Sequence, residues 1–426
     1  MIAQNMSTDR QNLRAIVGSM RLFAASLVIV FANSSVISQE VGSTSSATVV
    51  ARIEMKLQIG MELVDVIKKG DLLTVVEERD DAYIVLTFNG KRGLVPKKNV
   101  ASLGESIEIY NQLIEENPRQ GRLFTLRASS WWSRGESEKA LADYNRAIEL
   151  GYREARAYSS RGLFHAAVGN YDKAIADFTK AIERGAKDET PYINRAAVYL
   201  SQERFDLAIK DYDEAIRVAP ENPTGFQLRA ILHKNQGKLD LAIRDFGKAI
   251  EVDPNYTPAF MGRGFVWFQK EYWRKAVDDF TAVIKIDPNS ARAFNNRGYN
   301  RLLLGQYKEA LVDYEHAIRV APNFALAHQN KAWLLASADE PEIRNGAKAI
   351  ESANKACELN EFRNIGDVKA LAAAYAESND FEKAIQWQVK AIDLSPDANK
   401  PLEEKILDRY RDKQPLRFAD FPSKEP

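Results

Sequence analysis

Residues 291–322 read ARAFNNRGYNRLLLGQYKEALVDYEHAIRVAP, and the reading of most of the chain follows from this stretch. Its Arg297, Ala310, Asp313 and Tyr314 recur at a fixed spacing of 34. Counting back from Arg297 gives Arg263, Arg229, Arg195, Arg161 and Arg127. From Ala310 it gives Ala276, Ala242, Ala208, Ala174 and Ala140, and from Asp313 it gives Asp279, Asp245, Asp211, Asp177 and Asp143. Each Asp precedes an aromatic: Tyr144, Phe178, Tyr212, Phe246, Phe280 and Tyr314. Pro220, Pro254, Pro288 and Pro322 close four of the units. A constant period with these residue types is the mark of a helix–turn–helix solenoid.

Each position has a physical reason. A small residue on the first helix of each unit (helix A) lies twelve places before the repeated Ala of the second (helix B). These are Ala128, Gly162, Ala196, Ala230, Gly264 and Gly298. Small residues facing each other let antiparallel helices approach closely, and the aromatic is expected to fill the gap between neighbouring units. Proline ends helix B because it lacks an N–H and clashes with the preceding turn. The pattern resembles the tetratricopeptide repeat from about Gly104 to Pro396. The resemblance implies a mainly α fold, a right-handed α-solenoid of tetratricopeptide helical hairpins.

The ends are expected to differ, as the terminal units of a solenoid must. Ser106–Pro118 fits helix B alone, a half-repeat over 104–120, with full repeats over 121–396. In the seventh unit the repeated Ala is Ala349, so five residues are inserted within Ala336–Lys348. Residues 401–426 read as a capping helix followed by a loose tail.

Upstream the texture changes to strands. Residues 47–103 contain short apolar runs, with Asn89-Gly90 between two of them and Pro96 ending another. Asn-Gly in that setting signals a two-residue hairpin turn. The order of these elements resembles the bacterial SH3-like domain, which implies a small β-barrel. Where that family commonly carries tryptophans this chain has Asp81-Ala82-Tyr83 and Gly93-Leu94. Residues 39–46 read as a linker. Residues 1–38 read as a signal peptide: Arg10, Arg14 and Arg21 precede the apolar run Leu22–Ala32, followed by small residues. The expectation is a mature chain starting near Ser35 or Gln39 in the periplasm or cell envelope, touching the membrane only through the signal segment. An uncleaved signal anchor is the alternative.

Lys+Arg and Asp+Glu both total 59, leaving no net charge, which argues against a dedicated nucleic-acid binder. The single cysteine, Cys357, allows no intrachain disulfide. It reads as a buried small hydrophobe. His165 and His233 share one repeat position, and neither they nor His316 and His328 have a second metal ligand at helical spacing. Neither a metal nor a cofactor is expected, nor catalysis.

The Arg and Asp series vanish in step: the seventh unit has Lys331 and Ser352, the eighth Leu371 and Trp387. That points to structural Arg–Asp pairs bridging helices: each of Arg127, Arg161, Arg195, Arg229, Arg263 and Arg297 is expected within reach of one of Asp143, Asp177, Asp211, Asp245, Asp279 and Asp313, in the same unit or an adjacent one, with Arg229 and Asp245 as the central case. The tetratricopeptide resemblance implies a partner protein or extended peptide held in a groove lined by helix A. Candidate groove residues are Arg156, Asn194, Gln227, Arg292, Asn295, Asn296 and Asn330. The family's clamp for a C-terminal aspartate does not fit, since the positions read Thr125, Ser129, Ser160, Thr190 and Asn194. The expected function is a non-enzymatic interaction scaffold, with cell-wall or carbohydrate binding through the SH3-like domain as the alternative.

Overall fold

Alternation of apolar residues builds the N-terminal sheet. The computed structural model describes residues 47–59, 62–87, 90–152, 155–185 and 188–420. The expected signal segment and linker lie outside them. Seven strands come first: β1 (Thr48–Ala51), β2 (Met55–Ile59), β3 (Glu62–Ile67), β4 (Leu72–Glu78), β5 (Ala82–Leu86), β6 (Arg92–Pro96) and β7 (Val100–Ser102). They form a five-stranded antiparallel sheet, β6-β5-β4-β1-β7, and a separate β2-β3 hairpin. The register pairs Val49 with Leu73, Val75 with Val85 and Ile84 with Leu94. Val49, Leu73, Val75, Val85 and Val95 share one core with Leu57 and Ile67 of the hairpin.

The described strands therefore do not close into the expected barrel. Pro96 cannot donate to a ladder, and the 3₁₀ turn Lys97–Asn99 carries the chain to β7, which pairs with β1. The hairpin gives side chains to the core and makes ladder pairs only within itself, while the Thr87 hydroxyl donates to Asp65 of β3 at 2.7 Å. Of the expected Asn-Gly turn, Asn89 lies outside the described residues. Gly90 has φ 72°, and the Thr87 N–H donates to the Lys91 carbonyl at 2.8 Å.

Eighteen α-helices follow among the described residues. Helix α1 (Ile107–Glu116) is the lone half-repeat. Four hairpins come next: α2 (Gly121–Ser133) with α3 (Ser137–Glu149), α4 (Ala155–Ala167) with α5 (Tyr171–Glu183), α6 (Thr190–Ser201) with α7 (Phe205–Val218), and α8 (Pro223–Asn235) with α9 (Leu239–Val252). Four more complete the array: α10 (Thr257–Gln269) with α11 (Trp273–Ile286), α12 (Ala291–Leu303) with α13 (Tyr307–Val320), α14 (Ala325–Ser337) with α15 (Gly346–Leu359), and α16 (Ile365–Glu377) with α17 (Phe381–Leu394). Helix α18 (Lys400–Arg411) ends the series.

These elements form two compact units, one running to Gly225 and one from Phe226. In the first, α1 is packed onto the sheet: Ile109 and Tyr110 share a cluster with Val50 and Ala101, and the Tyr110 hydroxyl donates to the Gly70 carbonyl at 3.0 Å. Leu126 of the first hairpin packs against this cluster, and Ile107 is buried as well.

The hairpins close through a small-against-aromatic fit. A Cβ added to Gly162 would stand 2.8 Å from the Phe178 ring, and on Gly264 2.9 Å from Phe280. The small residue thus faces the aromatic of its own hairpin rather than the repeated Ala alone. The turn from helix A to helix B demands a positive φ, taken by Gly135, Gly169, Gly237 and Gly305, and by Glu203 and Glu271 at φ 59° and 63°.

In the second unit the tail is not loose as far as Asp420. Leu416 is buried and Phe418 packs on Tyr307.

Candidate interaction surface

The Arg and Asp series come together in every regular unit. Each Arg Nε donates to Oδ2 of the Asp sixteen residues on, at 2.7–3.0 Å, and each Nη2 to Oδ1 at 2.6–2.8 Å. The fork geometry is what guanidinium offers and ammonium does not. The carboxylates are nearly sealed and the guanidinium groups half-buried. Burial pushes the Asp211 and Asp279 carboxyls up, against the hydrogen bonds from Arg195 and Arg263.

The remaining Nη1 reaches back to helix B of the preceding unit. Arg127 donates to Asn111 (2.9 Å), Arg161 to Asn145 (2.8 Å), Arg195 to Thr179 (2.9 Å) and Arg297 to Thr281 (3.3 Å). One side chain thus ties two helices of its own unit to a third helix of its neighbour. The sequence signal was present: polar residues recur 34 apart at Asn111, Asn145, Thr179 and Thr281, and Gly247 interrupts them. In the seventh unit Lys331 instead meets Glu315 at 3.4 Å. In the eighth, Leu371 is fully buried in the cluster that Trp387 packs against, and Trp387 stacks on Phe362 at 5.5 Å.

One further position surrounds the Asp. His165 and His233 lie 4.0 and 3.8 Å from Asp177 and Asp245, and in the sixth unit Arg301 takes the place, 2.8 Å from Asp313. Burial lowers the His165 pKa, with Asp177 opposing it. Cys357 is fully buried and its thiol is pushed up to about 12 by burial. Among the described residues no three His, Cys, Asp or Glu side chains gather to hold a metal ion. No described helix is long and apolar enough to cross a membrane.

The groove candidates separate. In the first unit Arg156 is exposed, whereas Asn194 is fully buried and its amide finds no partner among the described residues. In the second unit the Gln227 amide oxygen accepts from the Tyr256 hydroxyl at 2.5 Å. Asn295 and Asn330 are buried and spent on each other, Asn330 Nδ2 donating to Asn295 Oδ1 at 2.9 Å, and Asn295 in turn donates to Asn296 Oδ1 at 3.3 Å. Neighbouring helices A pack too closely to leave these amides open, so Asn194, Asn295 and Asn330 do not present the expected bonding groups to a ligand.

On the helix-A face of the second unit the Phe265 ring is exposed, while Phe268 and Tyr299 are half-buried. Arg292, Asn296 and Tyr299 fall at i, i+4 and i+7 on one face of α12. The Tyr299 ring lies 5.7 Å from Phe268 of α10, and Phe265 on the same helix is 40% exposed. Sequence reasoning passed over these rings, although Phe265, Tyr299 and Trp333 are 34 apart.

Five stretches match descriptions of the tetratricopeptide repeat: residues 125–189, 191–222, 225–256, 291–324 and 370–398. The chain carries tetratricopeptide repeats. No curated protein matches it. Among solved structures it is similar to YrrB, described as a TPR protein with an unusual peptide-binding site, at 26% identity and TM-score 0.36, covering 43% of this chain and 95% of that one. It is also similar to the C-terminal part of a TPR repeat-containing protein from Cytophaga hutchinsonii, at 19% identity and TM-score 0.47, covering 57% and 98%. Yeast Tom70 is similar at 15% identity and TM-score 0.39, covering 73% and 86%.

Proposed function

We propose that the chain is a non-enzymatic scaffold that holds an extended segment of a partner protein on the open helix-A face of the Phe226–Asp420 unit. The observation that carries the reading is the strip Phe265, Phe268, Tyr299, Asn296 and Arg292. The exposed Phe265 ring, with the half-buried Phe268 and Tyr299 rings beside it, gives apolar contact area at little entropic cost, and the Asn296 amide can donate to a main-chain carbonyl. The Arg–Asp pairs and the small-against-aromatic fit hold this face rigid, so little ordering is left for the partner to impose.

We infer export from the basic and apolar pattern of residues 1–38. For the β module we keep the SH3-like reading, supported by its antiparallel strand order and shared core. The experiment is selection of binders from a random peptide display library. A photo-crosslinker at position 265 or 299 should then label the selected peptides. Selected peptides that crosslink only elsewhere, or a library that yields none, would overturn the groove assignment.

A further inference from the structure

The last described segment crosses three repeats. After α18 the chain reverses at Lys413 (φ 55°), where the Gln414 N–H donates to the Arg409 carbonyl at 2.8 Å. Pro415–Asp420 then runs back over the array. Leu416 is buried among Ala376, Ala384, Ile406 and Tyr410. The Arg417 guanidinium pairs with the Glu377 carboxylate at the end of α16 (2.8 Å) and donates to the Ala336 carbonyl near the end of α14 (3.3 Å). The Phe418 ring lies 5.7 Å from Tyr307, the first residue of α13, against the cluster of Leu302, Leu334, Ala338 and Ile343.

The five-residue insertion of the seventh unit supplies the other wall. Asp339 Oδ1 accepts the Ala419 N–H at 2.9 Å, and its Oδ2 accepts the Tyr307 hydroxyl at 2.9 Å. Arg344 braces Glu377 from the opposite side at 3.1 Å. Asp420 closes the segment on itself, accepting from Arg409 at 2.8 Å and from the Arg417 N–H at 2.7 Å.

These are the contacts of a docked peptide that ends in a 3₁₀ turn, Phe418–Asp420. Two apolar side chains enter separate pockets, a cation between them meets a carboxylate, and one backbone N–H is read by a side chain. The segment belongs to none of the repeat helices, so it can leave without melting any of them. We propose that the notch between Tyr307, Asp339 and Glu377 is a binding site for a short apolar–Arg–aromatic segment that turns at its aromatic end. The chain's own tail is its resident ligand, and a partner segment of the same chemistry binds by displacing it. This site is independent of the aromatic strip.

The test uses the full chain and a labelled peptide of residues Gln414–Asp420, QPLRFAD, followed by fluorescence anisotropy. A tethered tail competes at roughly millimolar effective concentration. The full-length Arg417→Ala/Phe418→Ala variant should therefore bind the peptide at least tenfold more tightly than the unaltered chain. The same peptide carrying both alanine substitutions should not bind. A second full-length variant, Asp420→Ala, loosens the tail through an exposed residue without touching the apolar pockets, and should shift affinity in the same direction. Equal affinity of the unaltered chain and both variants, or no binding by either variant, would overturn the assignment.

Discussion

Replacing Arg263 by Leu and Asp279 by Ala, singly and together, measures what one pair contributes. This pair is the cleanest, because Gly247 offers Arg263 no side chain on the preceding helix B. Asp279 is nearly sealed, with 6% of its side chain exposed, while Arg263 keeps 25%. Loss of Arg263 strands a buried carboxylate and should cost about 3 kcal/mol, the low end for a broken buried pair. Loss of Asp279 leaves a guanidinium that can turn toward water, and should cost about 2 kcal/mol. With both gone no charge is stranded, and the double variant should lose roughly 2 kcal/mol less than the singles combined.

Acidity sharpens the test. The Asp279 carboxyl is raised in the folded chain, so the folded state holds its proton more tightly than the unfolded one. Stability from this group is present at low pH and lost as pH rises through the folded pKa. The Arg263→Leu defect should accordingly be smaller at pH 4 than at pH 7. Native-state hydrogen exchange at the α10 and α11 amides reads the local loss directly, which suits an array whose units can open separately. Strict additivity, or a defect that grows on acidification, would refute the reasoning.

Gly247→Asn should restore the missing link to the preceding helix B. A Cβ there meets only the Arg263 Nη1 at 3.8 Å, and a gain of about 1 kcal/mol in urea unfolding is expected from the bond and the better helix former. Glu271→Gly relieves a non-glycine residue at φ 63° and should stabilise by about 1 kcal/mol, read as a raised Tm. Gly264→Val drives methyl groups into the Phe280 ring and should cost about 1–3 kcal/mol by the same measurement. His165 has a lowered pKa, so its stability contribution falls as pH drops below the unfolded value near 6.5. His165→Phe should flatten the stability profile between pH 7 and pH 5.

The repeat array was legible because each unit states the same packing rule again. A period of 34, a small residue, an Ala and an aromatic can be checked against five copies of themselves. The Arg–Asp partnership was legible for a related reason, in that Leu371 and Trp387 replaced both members together. Surface character was not. Asn295 and Asn330 sit at positions that could face a ligand, but whether they do depends on how closely adjacent helices A approach, which no single unit encodes. The third bond of Arg127, Arg161, Arg195 and Arg297 required comparing one unit's helix A with the previous unit's helix B. The docked tail was hidden for the same reason: Phe418 finds its pocket across more than 70 residues of sequence, and nothing in PLRFAD is periodic. Closure of the β module depended on where Pro96 sent the chain.

Binding of an extended peptide on the aromatic strip of the second unit is read by titrating one display-selected peptide against the unaltered chain, Phe265→Ala, Tyr299→Ala and the control Phe205→Ala, which alters an exposed ring at the start of α7. A binding hot spot contributes at least about 1.4 kcal/mol, or tenfold. Phe265→Ala and Tyr299→Ala should each raise Kd tenfold or more and leave the control unchanged. Equal Kd values for all four proteins would contradict the account.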